Sequence, residues 1–234
     1  MYHDIADDLI HSIENKLFSQ KLPTEHQLME RYNVSRNTIR KAIDIVAQKG
    51  LVRRVQGSGY FVNDISQAKH TVVNLTMGTS RTRYHKEMTS KIVTFDEIHA
   101  DEALAKEFGV HNGAALHRII RLRYIDKQLY SLEYAYYVKS EVPTLTLVSI
   151  NHSIFDYIAK KYDIRINNSD QYLSQDALTS EQANLLGLKP KTACMVLQQS
   201  NYYKNDVLFN FSQTIYVYPN LSFYFHAANQ SGNS

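Results

Sequence analysis

A cluster of polar side chains after Ser35 has the composition of a DNA-reading surface. It comprises Arg36, Asn37, Arg40 and Lys41. Arginine can bond both acceptors on the edge of guanine, and asparagine can bond adenine in the same bidentate way. Ser35, at the start of a helix, can offer its hydroxyl and its backbone N–H group to a phosphate. The cluster therefore predicts contact with double-stranded DNA.

Two arginines in the second half of the chain have a spacing that suits a smaller anion. Arg121 and Arg123 alternate about Leu122 in a run that is typical of a β-strand, so both side chains point to one face. Two guanidinium groups on one face repel each other unless an anion or a carboxylate lies between them, and their fork geometry suits phosphate. A structural salt bridge is the alternative interpretation.

Three helices and a hairpin are predicted around the first cluster. Apolar residues at every fourth position from Ile5 to Leu17 indicate an amphipathic helix, and a capping-box pattern at Thr24 begins a short second helix. Ser35 caps a third helix, which Gly50 ends. Two β-prone runs around a glycine-containing turn follow and indicate a hairpin. This order is a winged helix-turn-helix, in which the N-terminal part of the recognition helix enters the major groove.

Composition and charge agree with this organisation. The chain has 234 residues, of which 44% are hydrophobic and 21% charged, as in ordinary globular proteins of one large or two small domains. The net charge is only +3, yet residues 31–63 hold seven basic side chains against Asp44 alone, which is the charge distribution of a phosphate-binding surface. The polar start, the single Cys194 and the lack of any apolar run of membrane length predict a cytoplasmic protein.

Several ordered motifs run through residues 1–63. They are Tyr2-His3-Asp4-Ile5-Ala6, Leu22-Pro23-Thr24-Glu25, Val34-Ser35-Arg36-Asn37-Thr38-Ile39-Arg40-Lys41-Ala42, Gly50-Leu51-Val52 and Gln56-Gly57-Ser58-Gly59-Tyr60-Phe61-Val62. In order and spacing they resemble the DNA-binding domain of the GntR family of bacterial regulators. The resemblance implies that Arg36 reads a base, that Thr38 and Arg40 assist at the backbone or an adjacent base, and that Gly57 enters the minor groove. His26 stands where the family usually has arginine, and it is interpreted either as a phosphate contact when protonated or as a surface residue.

The residues predicted to contact DNA are His26, Ser35, Arg36, Asn37, Thr38, Arg40, Lys41, Gln56, Gly57, Ser58 and Gly59.

The rest of the chain repeats one order of elements. Residues 64–71 are predicted to be a linker, 72–226 a second domain and 227–234 a disordered tail. A short helix from Glu102 to Gly109 precedes two extended runs, and the same order returns after a helix from Thr179 to Gly187, with a further helix from Ser153 to Lys161 between them. Two α-β-β units predict an antiparallel sheet with helices on one face, so the whole chain is expected to have an α+β fold.

The second domain carries weaker motifs. They are Phe108-Gly109-Val110, Arg121-Leu122-Arg123, Glu133 and Ser153-Ile154-Phe155. They resemble the UTRA sensor domain of the HutC-type subfamily of GntR regulators, whose fold is similar to that of chorismate lyase. The resemblance implies an effector pocket between the repeat units, in which the two arginines and Ser153 hold an anion such as a phosphate and Glu133 meets sugar hydroxyls.

Departures from the family pattern leave the identity of the effector open. Phe155 stands at the tyrosine position of a Ser-Leu-Tyr motif, and Asn210 lies near the place of a second acidic residue. The usual Arg-x-Asp motif is replaced by Tyr216-Val217-Tyr218. The predicted effector-binding residues, which include a loop that the family uses to touch its ligand, are Ser80, Arg81, Arg83, Tyr84, His85, Arg121, Arg123, Glu133, Ser153, Phe155 and Asn210.

Taken together, these features predict a transcriptional regulator, most simply a repressor, that is controlled by a small anionic metabolite such as a sugar phosphate. It is expected to bind operator DNA as a homodimer, since one recognition helix covers only a few base pairs. No cofactor or metal is expected, because the ten histidines show no ligand spacing with cysteine or aspartate. An enzyme of chorismate-lyase-like fold that acts on a small organic acid is the alternative, although no nucleophile–base pair stands out.

Overall fold

The computed structural model describes residues 1–63, 71–76 and 88–227. The chain divides into two compact units, Met1–His85 together with Asn220–Ser234, and Lys86–Pro219. The predicted linker lies outside the described residues except for Thr71, and the predicted tail lies outside them except for Ala227.

The first unit contains the expected winged helix-turn-helix. Its elements are α1 (Tyr2–Glu14), α2 (Glu25–Tyr32), α3 (Arg36–Gln48), β1 (Val52–Val55) and β2 (Gly59–Val62). Thr24 begins α2 with a complete capping box, and Gly50 has a left-handed φ of +67° just after α3. The strands β1 and β2 pair antiparallel as the wing.

The predicted end of the first helix is wrong. The apolar pattern extended it to Leu17, but α1 ends at Glu14 and the chain turns at Lys16, whose φ is +59°. Leu17 therefore leaves the apolar stripe and is 70% exposed.

A pair of parallel strands also belongs to the first unit. β3 (Thr71–Asn74) pairs in parallel with β10 (Leu221–Tyr224). Val72 is part of the same hydrophobic core as the three helices, and Tyr224 packs against that core. The sequence pattern predicts residues 72–226 as the second domain, because a pairing between segments so far apart in the chain leaves no local signal.

The second unit is built on a six-stranded antiparallel sheet. Its elements are β4 (Met88–His99), α4 (Glu102–Phe108), β5 (Ala115–Ile125), β6 (Gln128–Val138), α5 (Leu147–Asn151), α6 (Ile154–Tyr162), β7 (Asn168–Ala177), α7 (Ser180–Leu186), β8 (Ala193–Tyr203) and β9 (Val207–Tyr216). The strand order across the sheet is β4-β5-β6-β9-β8-β7. The predicted repeat is present, but a strand precedes each helix, so the repeated unit is β-α-β-β.

Helices cover both faces of this sheet, whereas the sequence analysis expected them on one. Leu122 of β5 packs in one core cluster with Leu186 of α7. Ile119 of the same strand packs in another cluster with Ile150 and Ile154, from α5 and α6. Because side chains alternate along a strand, residues 119 and 122 lie on opposite faces. The face that carries Ile119 also carries Arg121 and Arg123.

Candidate DNA-reading surface and effector site

The predicted DNA-binding cluster lies on one exposed face of α3. Arg36, Asn37, Arg40 and Lys41 are all exposed, whereas the apolar residues of the helix are buried in the core. The Lys41 ammonium lies 5.7 Å from the centre of the Tyr2 ring, which holds it beside α1. The first two turns of α3 therefore present three cations and an amide to solvent, as the major groove requires.

Two other residues that are predicted to contact DNA, Ser35 and His26, have side-chain partners within the protein. The Ser35 hydroxyl accepts a hydrogen bond from the Thr38 N–H group at 3.3 Å and lies 3.0 Å from the Thr38 hydroxyl. The cap uses this hydroxyl as an acceptor, and the backbone N–H groups at this end of the helix remain available to a phosphate. His26 is exposed on α2, where its Nδ1 lies 3.5 Å from Oε1 of Glu30.

Glu25 is a functional candidate that the sequence analysis missed. Nε of Arg40 donates to both carboxylate oxygens of Glu25, at 3.0 and 3.2 Å, and Nε of Arg36 lies 3.6 Å away. The Tyr60 hydroxyl of β2 donates to the same carboxylate at 3.4 Å. The hydrogen bond from Arg40 holds the pKa of Glu25 below its usual value. The sequence places Glu25 in a family motif, but only the turn between α2 and α3 brings it to the arginines.

The wing tip has the backbone that its glycines permit. Gly57 and Gly59 have φ angles of +73° and +99°, which side chains with a Cβ rarely adopt. Gln56, Gly57 and Ser58 are exposed, and the Ser58 N–H group closes the turn onto the Val55 carbonyl at 3.0 Å. An added Cβ at Gly57 would meet no atom within 4 Å, so the glycine is needed for conformation and not for space within the protein.

Three side chains hydrogen-bond the carbonyls of Lys49 and Gly50, immediately after the C-terminal end of α3. Asn63 Nδ2 donates to the Gly50 carbonyl at 2.9 Å, and the Tyr224 hydroxyl donates to the same oxygen at 3.2 Å. Asn74 Nδ2 donates to the Lys49 carbonyl at 3.0 Å. Helix-terminal carbonyls need such partners when they are screened from water. Two of the three donors belong to β3 and β10, so these strands hold the end of the recognition helix.

Arg121, Arg123 and Glu133 form a buried cluster in the second unit. The Arg121 guanidinium donates to both oxygens of Glu133, from Nε at 2.6 Å and from Nη2 at 3.2 Å, and its Nη1 donates to the Ile150 carbonyl at 2.7 Å. Arg123 approaches the same carboxylate only to 3.6 Å, and its Nη2 contacts the Met88 sulfur. Its Nε and Nη1 are buried and have no hydrogen-bond partner among the described residues. The two predicted anion ligands therefore differ: Arg121 is fully engaged, and Arg123 is not.

The charges of this cluster do not balance. Burial acts against the charge of Arg121, yet Glu133 raises the pKa of that guanidinium. Burial, followed by repulsion from Arg121, lowers the pKa of Arg123. Burial would raise the pKa of Glu133, but the two arginines hold it below its usual value. With all three groups ionised, the cluster carries one excess positive charge away from water.

The sheet face around this cluster is polar and buried. Ser131 lies directly across from Arg123 in the strand register, its hydroxyl is buried, and it has no partner among residues 1–63, 71–76 and 88–227. Buried polar side chains on the same face continue over β5, β8 and β9 as His117, Gln199, Asn201, Asn210, Ser212 and Thr214. The signal for them is a polar residue at every second position of β9, at Asn210, Ser212 and Thr214, and a polar run from Gln198 to Asn201 in β8; both features normally indicate contact with solvent.

Three further predicted effector residues have structural partners. The Ser153 hydroxyl caps α6 by accepting from the Asp156 N–H group at 3.3 Å. Phe155 packs in the apolar cluster, with its ring centre 6.2 Å from that of Phe209. The Asn210 amide donates to the Tyr136 and Phe211 carbonyls at 3.0 and 3.2 Å, and its oxygen accepts from Asn201 at 2.7 Å. These contacts occupy the Asn210 amide within the protein, whereas the Ser153 hydroxyl, which accepts, keeps its own O–H group as a donor.

The predicted loop residues Ser80, Arg81, Arg83, Tyr84 and His85 lie outside the described residues. Within the described part of the chain, no group of three or more His, Cys, Asp or Glu residues is arranged to hold a metal ion. None of the helices described is both long and apolar enough to cross a membrane.

Comparison with known families assigns both units. Residues 1–62 match the family described as bacterial regulatory proteins, gntR family, and residues 83–219 match the UTRA domain. The solved structure of the possible transcriptional regulator YydK from Bacillus subtilis is similar over 97% of this chain and 100% of its own, with a TM-score of 0.82 and 28% identity.

Curated relatives are also similar over nearly the whole chain. The uncharacterized HTH-type transcriptional regulator YydK of Bacillus subtilis is 29% identical over 95% of each chain. The HTH-type transcriptional repressor NagR of the same organism is 26% identical over 92% of this chain and 90% of its own. Because the matched family and these relatives regulate transcription, the alternative of an enzyme is not supported.

Proposed function

Because the chain belongs to the GntR family of bacterial transcriptional regulators and carries a UTRA effector-binding domain, we propose that it is a repressor that leaves its operator when a small anionic metabolite binds. The anion site is the buried cluster of Arg123 with Arg121 and Glu133. The protein works in the cytoplasm, where the bacterial chromosome lies.

The single observation that supports an anion site is the lack of hydrogen-bond partners, within the described structure, at Nε and Nη1 of the buried Arg123 guanidinium. A buried guanidinium with two nitrogens that have no hydrogen-bond partner among the described residues is costly, and an excess positive charge in a low-dielectric site adds to that cost. An anionic group beside Arg123 supplies both the missing acceptors and the missing charge. Arg121 then acts as a positioning residue, because its bond to Glu133 fixes the carboxylate that faces the ligand.

The class of ligand is inferred from the polar sheet face and from relatives. Hydroxyl and amide groups such as Ser131, Gln199 and Ser212 suit the hydroxyls of a sugar, and Arg123 suits its phosphate. One relative in Escherichia coli is named a repressor of mannosyl-D-glycerate transport and metabolism, and another a probable repressor of the fructoselysine utilization operon. These names support repression and a sugar-derived effector.

Thermal unfolding with paired ligands tests this proposal. Sugar phosphates and the corresponding neutral sugars are added to the full-length protein, because a ligand that binds the folded state raises its Tm. We expect a phosphorylated member to raise the Tm and its neutral partner to leave it unchanged. Arg123→Met should abolish the shift. Arg118→Met, a change on the opposite face of the same strand, should retain it. A shift with neutral sugars alone would contradict the anion site.

We also propose that the protein is a homodimer joined through β7. This strand is one edge of the sheet, pairs with β8 without a register shift, and contains neither proline nor lysine. The other edge, β4, is interrupted by a bulge between Ile92 and Thr94, which protects an edge from pairing. A second copy adding its own β7 antiparallel would cover the exposed Tyr172 and Leu173.

Matched lysine substitutions test this interface. Leu173 of β7 and Val93 of β4 are exposed to nearly the same extent, 39% and 38%. Leu173→Lys should convert the protein to a monomer in sedimentation experiments, whereas Val93→Lys should leave the dimer intact. A dimer that survives Leu173→Lys would exclude β7 as the interface.

Effector binding is proposed to reach the DNA-reading helix through β3 and β10. β3 is the last described strand of the first unit before the chain enters the second unit, and β10 is the first element after the chain leaves it. Asn74 and Tyr224 on these strands hold the carbonyls immediately after α3. A shift of either strand therefore changes the support of the recognition helix. Couplings of this kind are typically ~1–3 kcal/mol and reciprocal, so operator DNA should change effector affinity by the same factor.

A further inference from the structure

Glu25 is a carboxylate among the cations that face DNA, where its charge opposes binding to phosphates. It is the first residue of α2, and its side chain is 21% exposed. A charge on the DNA-binding face that reduced affinity without a compensating role would be a disadvantage. Its contacts indicate what that role is.

The Glu25 carboxylate joins three elements of the DNA-reading unit. Both of its oxygens accept hydrogen bonds from Nε of Arg40, and it lies 3.6 Å from Nε of Arg36, so one anion pairs with two arginines of α3. It also accepts from Tyr60 on the wing strand β2. Arg40 lowers the pKa of this carboxylate, so it stays ionised at neutral pH. The carboxylate therefore faces the Nε atoms of two guanidinium groups that are one helical turn apart.

The hydrogen bonds to Glu25 use Nε of Arg40, and Nε is also the atom of Arg36 that lies 3.6 Å from the carboxylate, so the terminal nitrogens remain available to other acceptors. A guanine edge needs two donors to meet its O6 and N7 atoms. A phosphate makes no such demand, since a flexible arginine can reach it in many geometries. An arginine held by Glu25 is therefore prepared for a base edge, and it must give up a charged partner if it turns to a phosphate instead.

We propose that Glu25 is a positioning residue that determines specificity: it orients Arg36 and Arg40 toward base edges and withholds both from the phosphates of unrelated DNA. Its removal should raise affinity for random DNA and reduce the preference for the operator.

The experiment compares three variants of the full-length protein on two duplexes of equal length. One duplex is an operator selected by the wild-type protein from a random-sequence library, and the other is a random sequence. Glu25→Gln removes the charge, and Glu25→Asp keeps the charge but shortens its reach. Glu30→Gln is the control, because Glu30 lies on the same helix and pairs with His26. Dissociation constants are measured over a range of salt concentrations.

We expect Glu25→Gln to lower the operator-to-random affinity ratio about tenfold, within the discrimination that one bidentate contact provides. Its binding to random DNA should become tighter and more salt-dependent, because two arginines are released to phosphates. Glu25→Asp should also lower the ratio, although the net charge is unchanged. Glu30→Gln should strengthen binding to both duplexes equally and leave the ratio as it was.

Two outcomes would overturn the proposal. If Glu25→Asp keeps the wild-type ratio and Glu25→Gln behaves like Glu30→Gln, Glu25 acts only as a charge. If the loss with Glu25→Gln is confined to one cytosine position in a base-by-base scan, the carboxylate reads a base itself. Failure of wild-type protein to select any operator would instead contradict sequence-specific DNA binding, so the two failures are distinguishable.

Discussion

Replacing Arg121 by methionine should destabilise the effector-free protein, whereas the same change at Arg123 should not. The two side chains lie on one face of β5 and are similarly buried, with 2% and 5% of each residue exposed. They differ in their partners. Arg121 bonds both oxygens of Glu133 and the Ile150 carbonyl, and Arg123 leaves two nitrogens, Nε and Nη1, without a hydrogen-bond partner in the described structure.

These contacts set the expected magnitudes. Arg121→Met leaves Glu133 buried without its bidentate partner, and breaking a buried pair in this way costs ~3–5 kcal/mol. Arg123→Met removes two unsatisfied nitrogens, Nε and Nη1, and a buried polar group without a partner costs ~1–3 kcal/mol. The lost attraction between Arg123 and Glu133 at 3.6 Å offsets part of this gain. We therefore expect Arg123→Met to range from neutral to about 2 kcal/mol more stable, since apolar replacements of buried charges are often neutral or stabilising.

Urea unfolding without effector measures both changes. The chain has no tryptophan, so circular dichroism and tyrosine fluorescence follow the transition. Because the chain has two compact units, their unfolding transitions must be resolved from each other before a free energy of unfolding is assigned to either. Arg118→Met is the control, because its ion pair with Asp96 is solvent-accessible and worth little. If Arg123→Met lost as much stability as Arg121→Met, Arg123 would be satisfied within the protein and the anion site would lose its basis.

Other predictions concern DNA contact, pH and the end of α3. Arg36→Ala should cost about 1–3 kcal/mol of binding free energy at one base pair in a binding scan. Lys41→Ala should weaken binding to operator and random DNA alike and reduce the salt dependence of binding by about 1 in slope. An equal loss on both duplexes with Arg36→Ala would mean that Arg36 only contacts phosphate. Glu133 has a folded-state pKa below the unfolded value of about 4.3, so its stabilisation is present above that pH and is lost as the pH falls through the folded-state pKa. Glu133→Gln should accordingly flatten the acid limb of a Tm–pH profile, and an unchanged limb would contradict the lowered pKa. Asn74→Ala should cost about 1 kcal/mol and speed hydrogen exchange in the last turn of α3, with a weaker effector response in gel shifts; unchanged exchange there would exclude Asn74 as a support of the helix.

Local patterns were sufficient for the first unit. The helix starts at Thr24 and Ser35 are caps whose side chains bond the backbone three residues on, and the left-handed Gly50 follows α3 directly. Such contacts depend on near neighbours in the chain, so the residue types predict them. The exposed basic face of α3 followed from helical periodicity for the same reason. The error at Leu17 arose because the apolar spacing continued past the turn that ends α1.

The sheet of the second unit was predicted in outline, but its site was not. The repeat of helix and paired strands indicated the α+β class, and the strands β4 and β7 were missed. Polar residues at alternate positions of β9, such as Ser212 and Thr214, have the pattern of a solvent face. The structure buries them, because whether a polar face meets water or a covered site depends on what packs above it.

The chain by itself therefore determined the winged helix, its basic reading face and the α+β class, since these follow from contacts within a few residues. Tertiary structure alone decided that Glu133 pairs with Arg121 in preference to Arg123, because cross-strand register sets that geometry. It also decided that Glu25 meets Arg40 and that β10 returns to the end of α3. These contacts join residues that are distant in the chain, and their free energy depends on distances and burial that arise only when the elements pack.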